Sequence, residues 1–286
     1  MNYKIGCHLM PWELDYAILS FTQLKKSQYH LNKDDDVYVD VTLNLSSYLI
    51  DWESTKIPKD FFVDKFKSLQ PLLNRYKCNF KIYDGNELYG GLNTMLESTE
   101  SHIDYYMVLN PDMYFTEHLL AILIQSCKII DNEFFIITPH IPKLWDDTWD
   151  VISNSNYSHI SHKDYNKIDV YDVRNYMKVN ELEIKLFPIN TFKFAGWMDL
   201  YNKETWNNFI IQKGWSGYGG CDFYAMILAN FAKNKGVNIQ QYILKNQITT
   251  EYCFGSMNST GYTNYYKKLI KLNDVPNQRK DFDSKM

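Results

Sequence analysis

Two aspartates sit where a carboxylate can do chemistry. The first closes the segment Tyr105–Asp112, YYMVLNPD. An apolar run of that kind is a buried strand, and Pro111 cannot continue its hydrogen-bond ladder, so Asp112 is delivered to the strand's carboxyl end. A hard cation such as Mg²⁺ or Mn²⁺ takes one or two carboxylates and completes its shell with water and diphosphate oxygens. Asp112 suits that role, and it equally suits a plain turn cap. The second aspartate closes Gly214–Asp222, GWSGYGGCD, just ahead of an apolar helical pattern. Glycines let a backbone approach a ligand closely. A carboxylate in a first helical turn is kept anionic by the helix dipole and can serve as a general base. The alternative is simple N-capping. A third segment, Phe192–Leu200, presents Gly196 and Trp197 after a strand, with Trp197 either a stacking platform for a sugar ring or a core residue.

The elements that must position these groups alternate between strand and helix. Strands are expected at Lys4–Leu9, Asp36–Leu43, Phe80–Tyr83, Tyr105–Leu109 and Phe134–Thr138. Helices are expected at Trp12–Leu24, with Leu14, Ala17, Ile18, Phe21 and Leu24 inward, at Lys59–Tyr76, at Leu88–Leu96, and at Glu117–Ile130 with Thr116 as its cap. This alternation predicts a doubly wound, mixed and mostly parallel α/β sheet flanked by helices, which binds ligands beyond the carboxyl ends of its strands. Residues 139–182, rich in Trp, Asn, Asp, His and Tyr, read as a lid or acceptor wall. Beyond them come a strand region at Ile184–Phe194, helices at Lys203–Gln212 and Asp222–Lys233, a strand at Val237–Leu244, and a short C-terminal extension from Asn258.

Composition sets the outer limits. The 286 residues are 45% hydrophobic and 22% charged, the balance of a globular chain. A net charge of -4 gives no electrostatic footprint for nucleic acid. No apolar run approaches the ~20 residues of a transmembrane helix, and no signal peptide is evident at the start. The five cysteines are scattered, without a CxxC pair, and read as free thiols of a cytoplasmic protein, at most peripheral to a membrane. Asp34–Asp36 precedes a strand and reads as a solvated turn on the wrong side of the sheet. Among seven histidines, His159 and His162 form the H-x-x-H pair, with no carboxylate to make it a zinc motif. Aromatic residues reach 16%, with 23 tyrosines, a composition suited to sugar or base stacking and equally to codon bias.

Taken in order, three stretches resemble a GT-A glycosyltransferase, nearest to the family 2 inverting enzymes. YYMVLNPDMYF resembles the strand and metal motif, with Asn-Pro-Asp in place of Asp-x-Asp. IYDGNELYGGLNTML resembles the nucleotide-side segment. FAGWMDLYNKETWNNFIIQKGWSGYGGCDFYAMI resembles the acceptor-side block. The resemblance implies a catalytic domain at 1–257, with a donor half at 1–138, an acceptor half at 139–257 and a peripheral tail at 258–286. It also implies a role for each matched position. Asp112, with Asn110 beside it, holds Mn²⁺ or Mg²⁺ on the diphosphate of a UDP-, GDP- or dTDP-linked sugar, and Asp222 is the base. His8, Met10, Asp40, Asp84, Gly90, Gly91 and Asn93 bind the donor, while Trp197, Trp215 and Tyr218 face a glycan or glycolipid acceptor. The chain departs from the pattern in three ways. Cys221 replaces one of the usual acidic pair, His8-Leu-Met-Pro-Trp12 replaces the polar end of the first strand, and no His follows His162. Rival readings are a sugar-1-phosphate nucleotidyltransferase, whose basic Gly-rich first loop is missing, a glycoside hydrolase pairing Asp112 with Asp222, and a glycan-binding module without catalysis.

Overall fold

A computed structural model describes residues 1–47, 50–55, 57–85, 100–140, 183–189, 192, 198–210 and 221–251, with backbone alone for a few of them, Asp222 and Glu251 included. Gly90, Gly91, Asn93, Trp197, Trp215, Tyr218 and residues 141–182 of the wall expected at 139–182 lie outside the described residues, as does the tail at 258–286, while Pro139 and His140 belong to a strand.

The chain folds as the mixed, mostly parallel α/β sheet flanked by helices that was expected. Ten strands are described: β1 Asn2–Leu9, β2 Asp36–Asn44, β3 Lys77–Tyr83, β4 Tyr105–Leu109, β5 Met113–Tyr114, β6 Phe134–His140, β7 Leu186–Ile189, β8 Met198–Asn202, β9 Ile239–Ile248 and β10 Thr250–Glu251. Eight form one sheet in the order β3-β2-β1-β4-β8-β6-β9-β7, and β5 pairs with β10 in a small second sheet. β1, β2, β3 and β4 are mutually parallel, as are β6 and β9. β8 runs antiparallel between β4 and β6, and β7 antiparallel on β9. β8 is a strand that periodicity did not reveal. Its five residues, Met-Asp-Leu-Tyr-Asn, are buried on both faces, so the two-residue alternation that marks a half-buried strand is missing.

The described helices are α1 Leu14–Ser27, α2 Trp52–Thr55, α3 Lys59–Lys67, α4 Leu119–Cys127, α5 Lys203–Thr205 and α6 Cys221–Asn234. Several differ from the periodic pattern for local reasons. Pro11 opens a 3-10 turn, Pro11–Glu13, ahead of α1. Ile18 proves 37% exposed, and Ser20 is buried in α1 instead. The expected helix to Tyr76 stops at Lys67, and Pro71 starts a 3-10 turn at Gln70–Leu73. Thr116 does not cap α4 with its side chain: His118 is the N-cap, and the Thr116 hydroxyl faces Gln247 Oε1 at 3.4 Å. α5 widens into a π-turn at Trp206–Ile210. Gly236, at φ 89°, ends α6 in the left-handed region that suits glycine.

Two cores lie against the two faces of the sheet. Ile5, Cys7, Leu9, Val39, Val41 and Met107 pack with Phe21 and Leu24 of α1 and with Leu120 and Leu123 of α4. Tyr106, Ile136 and Tyr201 pack on the other face with Trp206, Ile210 and Ala229 of α6. The Tyr106 and Trp206 rings stack at 4.9 Å, a contact of about 1 kcal/mol beyond burial. Asp35 corrects the reading of Asp34–Asp36 as solvated. Its side chain is 2% exposed, 3.8 Å from the Met1 amino group and 3.0 Å from Lys128, and it ties the amino edge of the sheet together. Cys7 and Cys127 are buried free thiols and Cys78 an exposed one. No helix among the described residues is long and apolar enough to cross a membrane.

Candidate active site

The carboxyl ends of β1, β2, β3 and β4 lie along one edge because the four strands are parallel. At the end of β1, Met10 is extended and Pro11 turns the chain. Glu13 then folds back. Its Oε2 accepts the Met10 N–H at 2.7 Å while its own N–H donates to the Met10 carbonyl at 2.9 Å. This reciprocal turn buries the Glu13 carboxyl, and burial pushes its pKa up to about 8. The Met10 N–H opposes that rise, and the nearby charge of Asp112 adds to it. The buried Cys7 thiol is raised well above its ordinary value by burial, then by Glu13 and by Asp112. A thiol, a carboxyl and a carboxylate thus share one buried neighbourhood at the ends of β1 and β4.

Asp112 itself is 3% exposed, and its turn is held from two sides. The Ser20 hydroxyl of α1 lies 2.6 Å from the Pro111 carbonyl and 2.7 Å from that of Met113. Beyond the turn, β5 pairs with β10, which puts Glu251 opposite Met113. Glu251 is a late acidic residue whose backbone position opposite Met113 spacing along the chain could not indicate, since the pairing joins distant segments. Asp112 is a hard oxygen donor, the chemistry that suits Mn²⁺ or Mg²⁺ with diphosphate and water as remaining ligands.

One strand over, the Asn44 side chain is oriented by the backbone. Its Oδ1 accepts the Ser46 N–H at 3.0 Å, so the amide nitrogen faces His8 Nε2, 3.2 Å away. An amide NH₂ only donates, so Nε2 is the acceptor and the His8 proton sits on Nδ1. Burial holds the His8 imidazole down to about 4, so it is neutral near pH 7. Farther along, Leu45 N–H donates to the Tyr83 carbonyl at 2.7 Å and Trp52 Nε1–H to the Leu45 carbonyl at 3.0 Å. Lys59 bridges the loops after β2 and β3. Its ammonium pairs with Asp84, lies 3.4 Å from Ser47 Oγ and sits 5.2 Å from the Trp52 ring.

Of the expected donor residues, His8, Met10, Asn110 and Asp84 lie at this edge, with Asp112. Asp40 lies within β2, opposite Gly6 of β1, with its carboxylate 3.0 Å from the buried Lys4 ammonium. Asp222 is the second residue of α6, whose far end joins β9 through the Gly236 turn. Glu13, Asn44, Trp52 and Lys59 went unread in the sequence, although Pro-x-Glu after a strand end was a local signal for Glu13. His140, which ends β6 at 1% exposure, also went unread.

No family model matches the chain, and no curated protein matches it in sequence. Among solved structures it is similar to S. aureus TarS 1-349 in complex with UDP-GlcNAc, at 10% identity and a TM-score of 0.47, over 91% of this chain and 61% of that one. It is also similar to the inositol-1-phosphate CTP transferase from T. maritima, at 12% identity and 0.43, over 94% and 96%. A third likeness is to GalNAc-T7 with UDP, GalNAc and Mn²⁺, at 10% and 0.47, over 94% of this chain and 47% of that one.

Proposed function

We propose that the chain is an inverting glycosyltransferase that moves a sugar from a nucleotide-diphosphate donor to a hydroxyl of a glycan or glycolipid. The observation that carries this reading is the Asn110–Met113 turn. It leaves a parallel strand at the ligand-binding edge of a doubly wound sheet, and both Ser20 and the β5–β10 pair hold it there with Asp112 buried. In this reading 1–257 is the catalytic domain, with a donor half at 1–138 and an acceptor half at 139–257, and 258–286 is peripheral.

Asp112, with Asn110 beside it, would hold Mn²⁺ or Mg²⁺. When bound, such an ion neutralises charge on a departing nucleoside diphosphate. Neutral His8 and the Asn44 amide stand at the ends of β1 and β2, where an uncharged polar group adds no charge beside the nucleotide. Lys59, Asp84 and Trp52 border it with a cation, an acceptor and a flat ring. Gly90, Gly91 and Asn93 belong to the donor side, and Trp197, Trp215 and Tyr218 to the acceptor side. Asp222 takes the proton of the acceptor hydroxyl as that oxygen attacks the anomeric carbon from the face opposite the leaving group. One such displacement inverts the configuration.

The test is a thermal-shift screen of the full chain with UDP, GDP, dTDP and CMP, with and without Mn²⁺, followed by nucleoside diphosphate release from the matching sugar nucleotide. Release separates a transferase from a glycan-binding module and from a hydrolase. Asp222→Asn should lower kcat by about 10²–10⁴ with donor affinity little changed. A product of retained configuration, or an Asp222→Asn variant within a few-fold of wild type, overturns the scheme.

A further inference from the structure

We propose that His30, Glu117 and His118 form a second metal site, for a zinc-like divalent ion, separate from the strand edge that carries Asp112. His30 ends the 3-10 turn Gln28–His30 that follows α1 and leads toward the amino end of β2. Glu117 and His118 immediately precede α4. The shared core packing of Phe21 and Leu24 with Leu120 and Leu123 fixes α1 and α4 without help from these polar groups.

The distances separate a metal site from an ordinary ion pair. His30 Nε2 is 3.6 Å and His118 Nε2 3.9 Å from the same oxygen, Glu117 Oε1. Both exceed the 2.7–3.2 Å of a hydrogen bond. Elsewhere in this protein a histidine and a carboxylate do approach closely, His102 Nε2 lying 3.2 Å from Glu100 Oε2. A tetrahedral ion with bonds of ~2.0–2.1 Å spaces its donor atoms about 3.4 Å apart. The three donors here lie within 4.8 Å of one another, so small side-chain rotations bring them onto one ion.

The electrostatics agree. The two imidazoles are in contact, with ring centroids 4.1 Å apart at 59°. Burial, and then His30, lower the His118 pKa, with Glu117 opposing, and the neutral imidazole is the form that ligates a metal. The side chains are 32%, 44% and 17% exposed for His30, Glu117 and His118, so an ion can reach the site and keep a water ligand. Two imidazoles and one carboxylate favour zinc, nickel or copper over Mg²⁺ or Ca²⁺. The ion would fasten the turn after α1 to the start of α4.

The probe is Zn²⁺, titrated into chelator-treated full-length protein against a chromophoric competitor. Anomalous diffraction at the zinc edge, on wild-type crystals grown with one equivalent, locates the ion. The expected result is one tight equivalent, an anomalous peak between these three side chains, and at least about tenfold weaker binding in the His30→Ala/His118→Ala variant. Asp112→Ala should leave this affinity unchanged, and the histidine variant should keep the nucleotide-dependent thermal shift, so failure here is distinguishable from failure of the glycosyltransferase reading. Wild-type affinity weaker than about 100 µM overturns the proposal. A peak confined to other residues, or an unchanged affinity in the double variant, does the same. If the variant fails to fold, the anomalous peak in wild-type crystals decides.

Discussion

Asp84 follows β3 with a half-exposed side chain and its carboxylate on Lys59, whereas Asp112 follows β4 in full burial, within electrostatic reach of the Glu13 carboxyl and the Cys7 thiol. Both carboxylates stand at the carboxyl edge of the same sheet. The exposed one is held by a partner side chain, in water, at little energetic consequence. The buried one stands on a turn whose carbonyls are bound by Ser20 and whose continuation is paired with β10. A carboxylate that can shift with its lysine suits contact with a variable group. One whose backbone is fixed on both sides suits a ligand that demands fixed geometry.

The largest test of this contrast exchanges the two positions. Asp112→Ala should weaken Mn²⁺-dependent binding of a nucleoside diphosphate by at least about tenfold, while Asp84→Ala leaves the EDTA sensitivity of binding intact. Equal metal dependence in the two variants would erase the distinction.

The next effect concerns His8, whose imidazole is held down to about 4 by burial. Above its ordinary value of 6.5 this imidazole is neutral in both the folded and the unfolded state, and it costs no stability. As pH falls from there toward 4, the unfolded chain takes the proton first, so stability is lost, by at most about 3 kcal/mol. His8→Gln keeps an acceptor for Asn44 and removes the titration. Urea midpoints between pH 7 and 4.5 should fall less steeply in this variant, and an unchanged slope would assign the acid sensitivity elsewhere.

Ser20→Ala removes the hydroxyl shared by the Pro111 and Met113 carbonyls and should cost about 1–2 kcal/mol in chemical denaturation. If the turn is held as described, the variant should also raise the Mn²⁺ concentration needed for nucleotide binding, which a purely structural loss in α1 would not do. Smallest is the exposed pair: Lys59→Met should change stability by less than about 1 kcal/mol and make it less sensitive to salt. A larger loss would mean that Lys59 secures the β2 and β3 loops as firmly as Ser20 secures the Asp112 turn.

Much of the parallel half was legible because its signals are local. Tyr105–Leu109 emerges as read, β2 is one residue longer than expected, and β1 and β3 begin earlier, at Asn2 and Lys77. The Asp112 turn was legible for the same reason, since an apolar run stopped by Asn-Pro needs no tertiary information. The Asp35 carboxylate was misread because exposure cannot be judged from a run of like charges. Its partners are the chain's own amino terminus and Lys128.

Sequence by itself determined the alternation of strand and helix, the ends at Pro11, Pro111 and Gly236, and the delivery of Asp112 to a strand end. Periodicity and backbone restriction act within a few residues and can be read there. Only the tertiary structure decided that β8 lies antiparallel between β4 and β6, and that Glu251 comes opposite Met113. It alone brought Glu13 into the field of Asp112 and set His30 beside Glu117 and His118. Those arrangements follow from which apolar faces bury one another, and burial is indifferent to distance along the chain.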